Sequence, residues 1–320
     1  MKLGSIVGLI IAAILIIAGI IMCIVGSSSA KSEGRELLMQ IDGSGTHYVQ
    51  EVSSETTKIS LDCESAKIII NGNAESSYIE FTNFNPNKYS VSATANVISF
   101  SESADISSLL DLGDFGFSFK GLRYFLDPRN DDFDELEKTI VVNLSADSKL
   151  KIIDIKAENA DVTAKSFTVS GDIILNVKTG TVSLDSSSAS STLSIAGDDL
   201  KTSINGCTGK TLRYSARKSE LSANGCDFTN SEIASEEGRI DVISEVTLDD
   251  RHIALTSESG GILFNTKPVA SPFNYEPPVG EDGEEKKASF KITAKSASVN
   301  IQFPTQIVTD PATPTVNVTP

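Results

Sequence analysis

From Ile152 onward the chain repeats one pattern about every twenty residues, and that period restricts its possible folds more than any other feature. An alternating apolar strand meets a short polar corner, and a second alternating strand follows. The units are IIDIKAENADVTA at 152–164, LNVKTGTVSL at 175–184, LSIAGDDLKTSI at 193–204, LRYSARKSELSA at 212–223, IASEEGRIDVI at 233–243 and IALTSESGGILF at 253–264. After an interruption FKITAKSASVNI returns at 290–301. The second strands register on Val162, Val182, Thr202, Leu221, Ile240 and Ile262, in steps of 20, 20, 19, 19 and 22 residues, with Leu200 an equal candidate for the place of Thr202. Alternation puts Val182 and Leu184 on one face and Thr181 and Ser183 on the other.

Two architectures accommodate strand, corner, strand. In a meander each unit is a hairpin and neighbours run antiparallel. In a solenoid each unit is a bent rung that pairs in parallel with the next. A meander has little reason to hold a fixed period, whereas a rung of constant perimeter keeps side chains stacked at about 4.8 Å. The expected fold is therefore all-β, a right-handed parallel β-solenoid of roughly 20-residue rungs, with a β-sandwich or meander as the alternative. The composition agrees: there is no Trp, with 14 Phe and 6 Tyr, in a chain rich in Ser, Thr, Ile and Val. Such residues favour strands and turns around a thin aliphatic core.

Asn205-Gly206-Cys207 recurs as Asn224-Gly225-Cys226, 19 residues later, at the same point of the repeat. Asn-Gly suits a position that needs positive φ. On adjacent rungs Cys207 and Cys226 would lie close enough for a disulfide, or would form a ladder of free thiols. Cys63 has no visible partner. TKISLDCESAKIIING at 57–72, YIEF at 78–81 and VSATANVISF at 91–100 look like earlier, less regular rungs, with an end cap needed because an open parallel edge invites another chain.

Two segments break the rhythm. Residues 101–138 carry Phe115, Phe117, Phe119, Tyr124 and Phe125, followed by Phe133, which either cap the stack or form a partner surface. The carboxylates at Asp131, Asp132, Asp134, Glu135 and Glu137 lack the spacing of a calcium loop and suit a solvated acidic turn. Residues 268–289, with Pro268, Pro272, Pro277 and Pro278 and then Glu281, Asp282, Glu284 and Glu285, have the composition of a mobile loop.

Leu3 to Gly26 carries no charged side chain and is long enough to span a bilayer as a helix. Its length suits an uncleaved anchor better than a signal peptide, and a lipoprotein reading of Cys23 fails because Met22 precedes it. The expected organisation is an anchor at 1–30, a juxtamembrane linker at 31–56, a β-repeat domain at 57–303 and a Thr/Pro-rich tail at 304–320. The body is expected outside the cell, on a single-pass membrane protein, since long domains translocate largely regardless of charge. The net charge is −16, and Lys2 is the only charged residue ahead of Lys31. That balance argues against nucleic acid and against docking flat on anionic lipid.

No catalytic, cofactor-binding or metal residues emerge. The two histidines, His47 and His252, match no zinc spacing, and no nucleophile elbow or phosphate loop occurs. Arg213, Arg217 and Lys218 beside Glu220 come nearest to the basic-plus-acidic groove of a polysaccharide lyase, but an acidic body repels the acidic polymers such enzymes cleave. The chain is expected not to be an enzyme.

LNVKTGTVSL at 175–184 and IASEEGRIDVI at 233–243, each a strand, a glycine corner and a strand, resemble the putative-adhesin repeat family of bacterial envelope proteins. The resemblance covers about 57–303, less the two breaks. It implies a β-solenoid-like body behind one N-terminal membrane helix and a surface-exposed, adhesion-like role, and it transfers no catalytic residue. The leading expectation is a displayed protein binding a cell-wall polymer or protein partner through ladders of Ser, Thr, Asn and charged side chains. An accessory of envelope-stress signalling, acting through the aromatic excursion, is the second expectation, and a lyase the third.

Overall fold

The computed structural model describes residues 47–85, 89–102, 136–246, 248, 251–276 and 288–304. The expected anchor, the aromatic residues Phe115 to Phe133 and the Thr/Pro-rich tail beyond Pro304 lie outside the described residues. Among the described residues no helix is long and apolar enough to cross a membrane.

The described chain is all-β. Its first part holds β1 (His47–Glu51), β2 (Lys58–Ala74), β3 (Tyr78–Thr82), β4 (Tyr89–Ala93), β5 (Val97–Glu102) and β6 (Thr139–Ser145). The middle holds β7 (Ile152–Lys165), β8 (Thr168–Val169), β9 (Asp172–Asp185), β10 (Ser188–Asn205) and β11 (Thr208–Ser244). The last part holds β12 (Arg251–Ser257), β13 (Ile262–Phe264), β14 (Lys267–Val269), β15 (Phe273–Tyr275), β16 (Ala288–Ala294) and β17 (Ser298–Gln302).

In the middle, each unit bends once along its length. In β7 the inward residues are Ile153, Ile155 and Ala157, then Ala160, Val162 and Ala164. The phase changes at Glu158 and Asn159, two outward residues in succession, so one strand contributes to two ladders. Successive units pair in parallel: β2 with β7, β7 with β9, β9 with β10 and β10 with β11. The pairing stacks like on like. Leu61, Ile155, Leu175, Ile195 and Tyr214 form one inner column, and Ile68, Val162, Val182, Thr202 and Leu221 another. Thr202, not Leu200, therefore occupies the second-strand position. Leu200 belongs to the corner column of Ala66, Ala160, Gly180 and Ser219.

That corner explains a glycine. Gly180 has φ +135°, and a Cβ there would sit 2.1 Å from the carbonyl oxygen of Ala160 on the tier beside it. The second corner uses a left-handed residue in every middle unit: Ser166, Ser186, Gly206 and Gly225, with φ of 51°, 50°, 56° and 60°. The Asn-Gly pairs thus sit where positive φ is required, and serine accepts the same conformation at the two earlier corners. Backbone bonds tie these corners together, from Ser166 to Asp185, Ser186 to Asn205 and Gly206 to Asn224, at 2.8–2.9 Å.

The ends depart from sequence order. β2 lies between β7 on one side and β5 with β6 on the other, all parallel. β5 and β6 together make one edge tier, which β4 covers by pairing antiparallel with β5, and β3 by pairing antiparallel with β6. β1 extends this cover antiparallel to β3. The segments YIEF and VSATA, expected as rungs, are therefore capping strands. β1 also falls inside the stretch expected to be a linker. Rings fill this end: Phe81 stacks on Phe100 at 4.6 Å, with Phe84 and Tyr89 edge-on to one another nearby.

At the far end β16 and β17 lie between the 230–243 stretch of β11 and the pair β12 and β13, again in parallel. β12 and β13 form the edge tier, covered antiparallel by β15 and β14. Two corrections follow. Ile262 does not stack on Ile240, because Val299 stands between them. Part of the segment expected as a mobile loop, 268–275, is folded as capping strands. Pro268 is tolerated in β14 because a proline without an N–H belongs on an edge strand.

Candidate ligand-binding face

The second ladder turns two columns of side chains outward. One runs Asp161, Thr181, Lys201, Glu220, and the other Thr163, Ser183, Ser203, Ser222. Their positions follow from alternation: each flanks an inward residue of the Val162 to Leu221 column. Arg239 and Asp241 prolong the columns, and with the residues from Thr181 and Ser183 onward they line a shallow groove of ≈ 580 Å³. A second hollow of ≈ 400 Å³ shares Arg239 and Asp241 and continues to Leu263, Pro268, Val269, Ser298 and Asn300. At the far end of the combined strip Leu263 is 41% exposed.

Charges along the strip alternate in sign. Lys201 and Glu220 approach to 3.6 Å. The Arg239 guanidinium grips Asp241 with two nitrogens, one of them at 3.1 Å from Oδ1, and Asn300 donates to the same oxygen at 3.1 Å. Asp241 pushes the Arg239 guanidinium further above its ordinary value. Thr181 donates its hydroxyl proton to Asp161 at 2.5 Å. Stacking at tier spacing makes like charges on neighbouring tiers unfavourable, and opposite ones favourable. The corner obeys the same rule with Glu158 and Lys178 at 2.7 Å and Asp199 and Lys218 at 3.4 Å. Four of the lining residues are two cations and two anions, so the groove is electrically balanced within a chain of net charge −16.

Cys207 and Cys226 occupy equivalent places on adjacent tiers, each just after a left-handed glycine. Both face inward as free thiols. The Cys207 Sγ donates to the Asn205 carbonyl at 3.4 Å, and the Cys226 Sγ lies 3.4 Å from the carbonyls of Ile204 and Asn224, either of which accepts its proton. Burial pushes the Cys226 thiol up to about 11. Burial, then the Glu102 and Asp62 charges, push Cys63 up to about 12. All three are poor nucleophiles at neutral pH.

The basic cluster expected of a lyase is dispersed. Arg213 pairs with Ser194 on the first ladder, Lys218 binds Asp199 at the corner, and Glu220 faces Lys201 on the second ladder. His47 and His252 lie at opposite ends of the stack, bonded to Glu80 and Glu276. Among the described residues no group of three His, Cys, Asp or Glu side chains is placed to hold a metal ion.

One element escaped the sequence. Glu102 and Lys138, at the two ends of the aromatic excursion, meet at 2.6 Å with side chains 3% and 12% exposed. Glu102 also accepts the Glu64 amide at 3.0 Å. This pair closes the corner of the edge tier, where every middle tier needs only a few residues. No local pattern reveals it, because the partners are 36 residues apart.

No family model matches the chain, and no curated protein does. Among solved structures, a putative cell adhesion protein of Clostridium sporogenes is 15% identical, with 81% of this chain and 100% of that one covered at a TM-score of 0.33. A putative adhesin of Bacteroides fragilis is 13% identical, with 81% and 97% covered at 0.41. One from Parabacteroides merdae is 12% identical, with 82% and 98% covered at 0.37. Overlaps at this level identify neither family nor function.

Proposed function

We propose that this is a membrane-anchored β-repeat protein, displayed outside the cell, whose body is a right-handed β-solenoid and whose second ladder binds an extended, hydroxyl-rich polymer of the cell envelope in an adhesin-like manner. The observation that carries this reading is the outward pairing of a hydroxyl column (Ser183, Ser203, Ser222) with the alternating charges of Lys201, Glu220 and Arg239 along one continuous groove. Each hydroxyl both donates and accepts, and a polyhydroxyl chain does the same, so contacts can repeat from tier to tier. Electrical balance within the groove suits a neutral polymer, while the surrounding negative charge disfavours an anionic one. The apolar run Leu3–Gly26 supports the anchor.

The test uses the full chain in detergent micelles, presented with insoluble cell-wall polysaccharide and, separately, with acidic polygalacturonate. Retention on the neutral polymer is expected, with a loss of about tenfold or more when Ser203→Trp and Ser222→Trp fill the groove. Equal retention by the filled variant would remove the groove from the reading, and absence of binding to any neutral polymer would remove the reading itself. Protease shaving of intact cells checks the topology: the body should be digested.

A further inference from the structure

The tier formed by β16 and β17 is the last described stretch of the chain, yet it is not the last in the stack. It fills a slot whose two walls, 230–243 and 251–264, precede it in sequence. Both walls pair with it in parallel and without a register shift. Its inner residues continue the wall columns: Ile292 between Ile233 and Leu255, Val299 between Ile240 and Ile262, Ile301 between Val242 and Phe264.

The walls also match each other. Ile233 to Leu255 and Ile240 to Ile262 are both 22 residues apart, so a single offset aligns the two ladders with apolar residues facing apolar. The walls therefore present matching columns to the tier that lies between them. Twelve residues, 276–287, connect β15 to β16. Among the described residues, the strand pairing that holds the tier in place comes from the walls, and it does not require that the tier belong to the same molecule.

We propose that Ala288–Phe303 is an exchangeable tier, which a second copy of this chain can insert into the slot in place of the resident one. Such an exchange preserves each ladder bond and each buried side chain, and changes only the path of the connection. It would link copies through a central tier rather than through the exposed edges, which the caps reduce to strands of three to five residues. Copies confined to one membrane meet at raised effective concentration, which favours the exchanged form.

The test exploits the outward pair Ile243 and Gln302, register neighbours on the wall strand β11 and the tier strand β17. Full-length Ile243→Cys and Gln302→Cys variants, with different tags, are co-expressed so that exchange is open during folding, then oxidised. A mixed disulfide dimer is expected, about tenfold more abundant than that formed when Gln302→Cys is co-expressed with Lys165→Cys, an outward position on a tier that does not border the slot. The double variant Ile243→Cys/Gln302→Cys in one chain must close its own bridge, which shows that the pair is competent and the variants fold. With that control positive, absence of mixed dimer, or equal amounts with Lys165→Cys, overturns the proposal.

Discussion

The middle of the molecule, from Ile152 to Asn224, and its two ends solve different problems with the same strands. In the middle, space follows sequence: each unit lies on the one before it, 19 or 20 residues on, and the core is mostly aliphatic, with Phe167 and Tyr214 its buried rings. At the ends, order is broken. The edge tiers are covered by antiparallel strands, and the aromatic rings gather there: Phe81, Phe84, Tyr89 and Phe100 at one end, Phe264, Phe273, Phe290 and Phe303 at the other. A stacked column needs side chains of matched size, which aliphatics supply. An end has no next tier to bury it, and large rings close the gap at fewer positions. Antiparallel pairing ends the parallel ladder on strands of three to five residues, which leaves another chain only a short edge to extend.

The contrast predicts a graded set of losses. Phe100→Ala opens the ring cluster at one end and should cost about 3–5 kcal/mol in urea unfolding. Hydrogen exchange should then show the end strands opening before those of the middle; uniform exchange would erase the distinction. Glu102→Gln should cost about 3 kcal/mol, because it leaves the Lys138 ammonium buried without its carboxylate. In the middle the sensitive points are corners. Gly180→Ala forces a Cβ against the Ala160 backbone, with an expected loss of about 2–3 kcal/mol. Gly206→Ala meets nothing closer than 3.7 Å and should cost only about 1 kcal/mol, as the serines at the equivalent corners indicate. A reversed order of these two glycines would refute the account of the corners.

Surface charge should matter least. Lys178→Glu replaces an attractive neighbour of Glu158 by a repulsive one, and the loss in Tm should shrink in high salt. Lys178 holds the Glu158 carboxyl below its ordinary value of 4.5. The sign is that of a depressed acid: the pair's contribution is complete above about pH 4.5 and fades as the pH falls further. The buried thiols act at the other extreme. With Cys63 pushed from 9.0 to about 12, the folded form loses stability as pH rises from 9.0, where the unfolded thiol ionises and the folded one does not.

Much of the middle was legible in advance. The period, the alternation, the inner column from Val162 to Leu221 and the positive φ after Asn205 and Asn224 all follow from local pattern. The ambiguity between Leu200 and Thr202 was not resolvable there, because hydrophobicity favours leucine while the corner column claims it. The final step of 22 between Ile240 and Ile262 differed from its neighbours, and the structure gives the reason: another tier lies between them. Alternation alone gives the outward ladders of hydroxyl and charged side chains, whereas the course of the groove past Arg239 to Val269 depends on strands from three separated segments.

What the sequence alone determined is the repeat and the direction each side chain faces, since both depend on spacing within a single strand. Which tier lies beside which at the ends, how the edges are covered and how Glu102 finds Lys138 were decided only by the tertiary structure. Those contacts join residues tens of positions apart, and parallel strands of equal length and similar inner residues can pair in more than one order. The choice among those orders is made by burial and edge closure, which belong to the assembled stack and to no single segment of it.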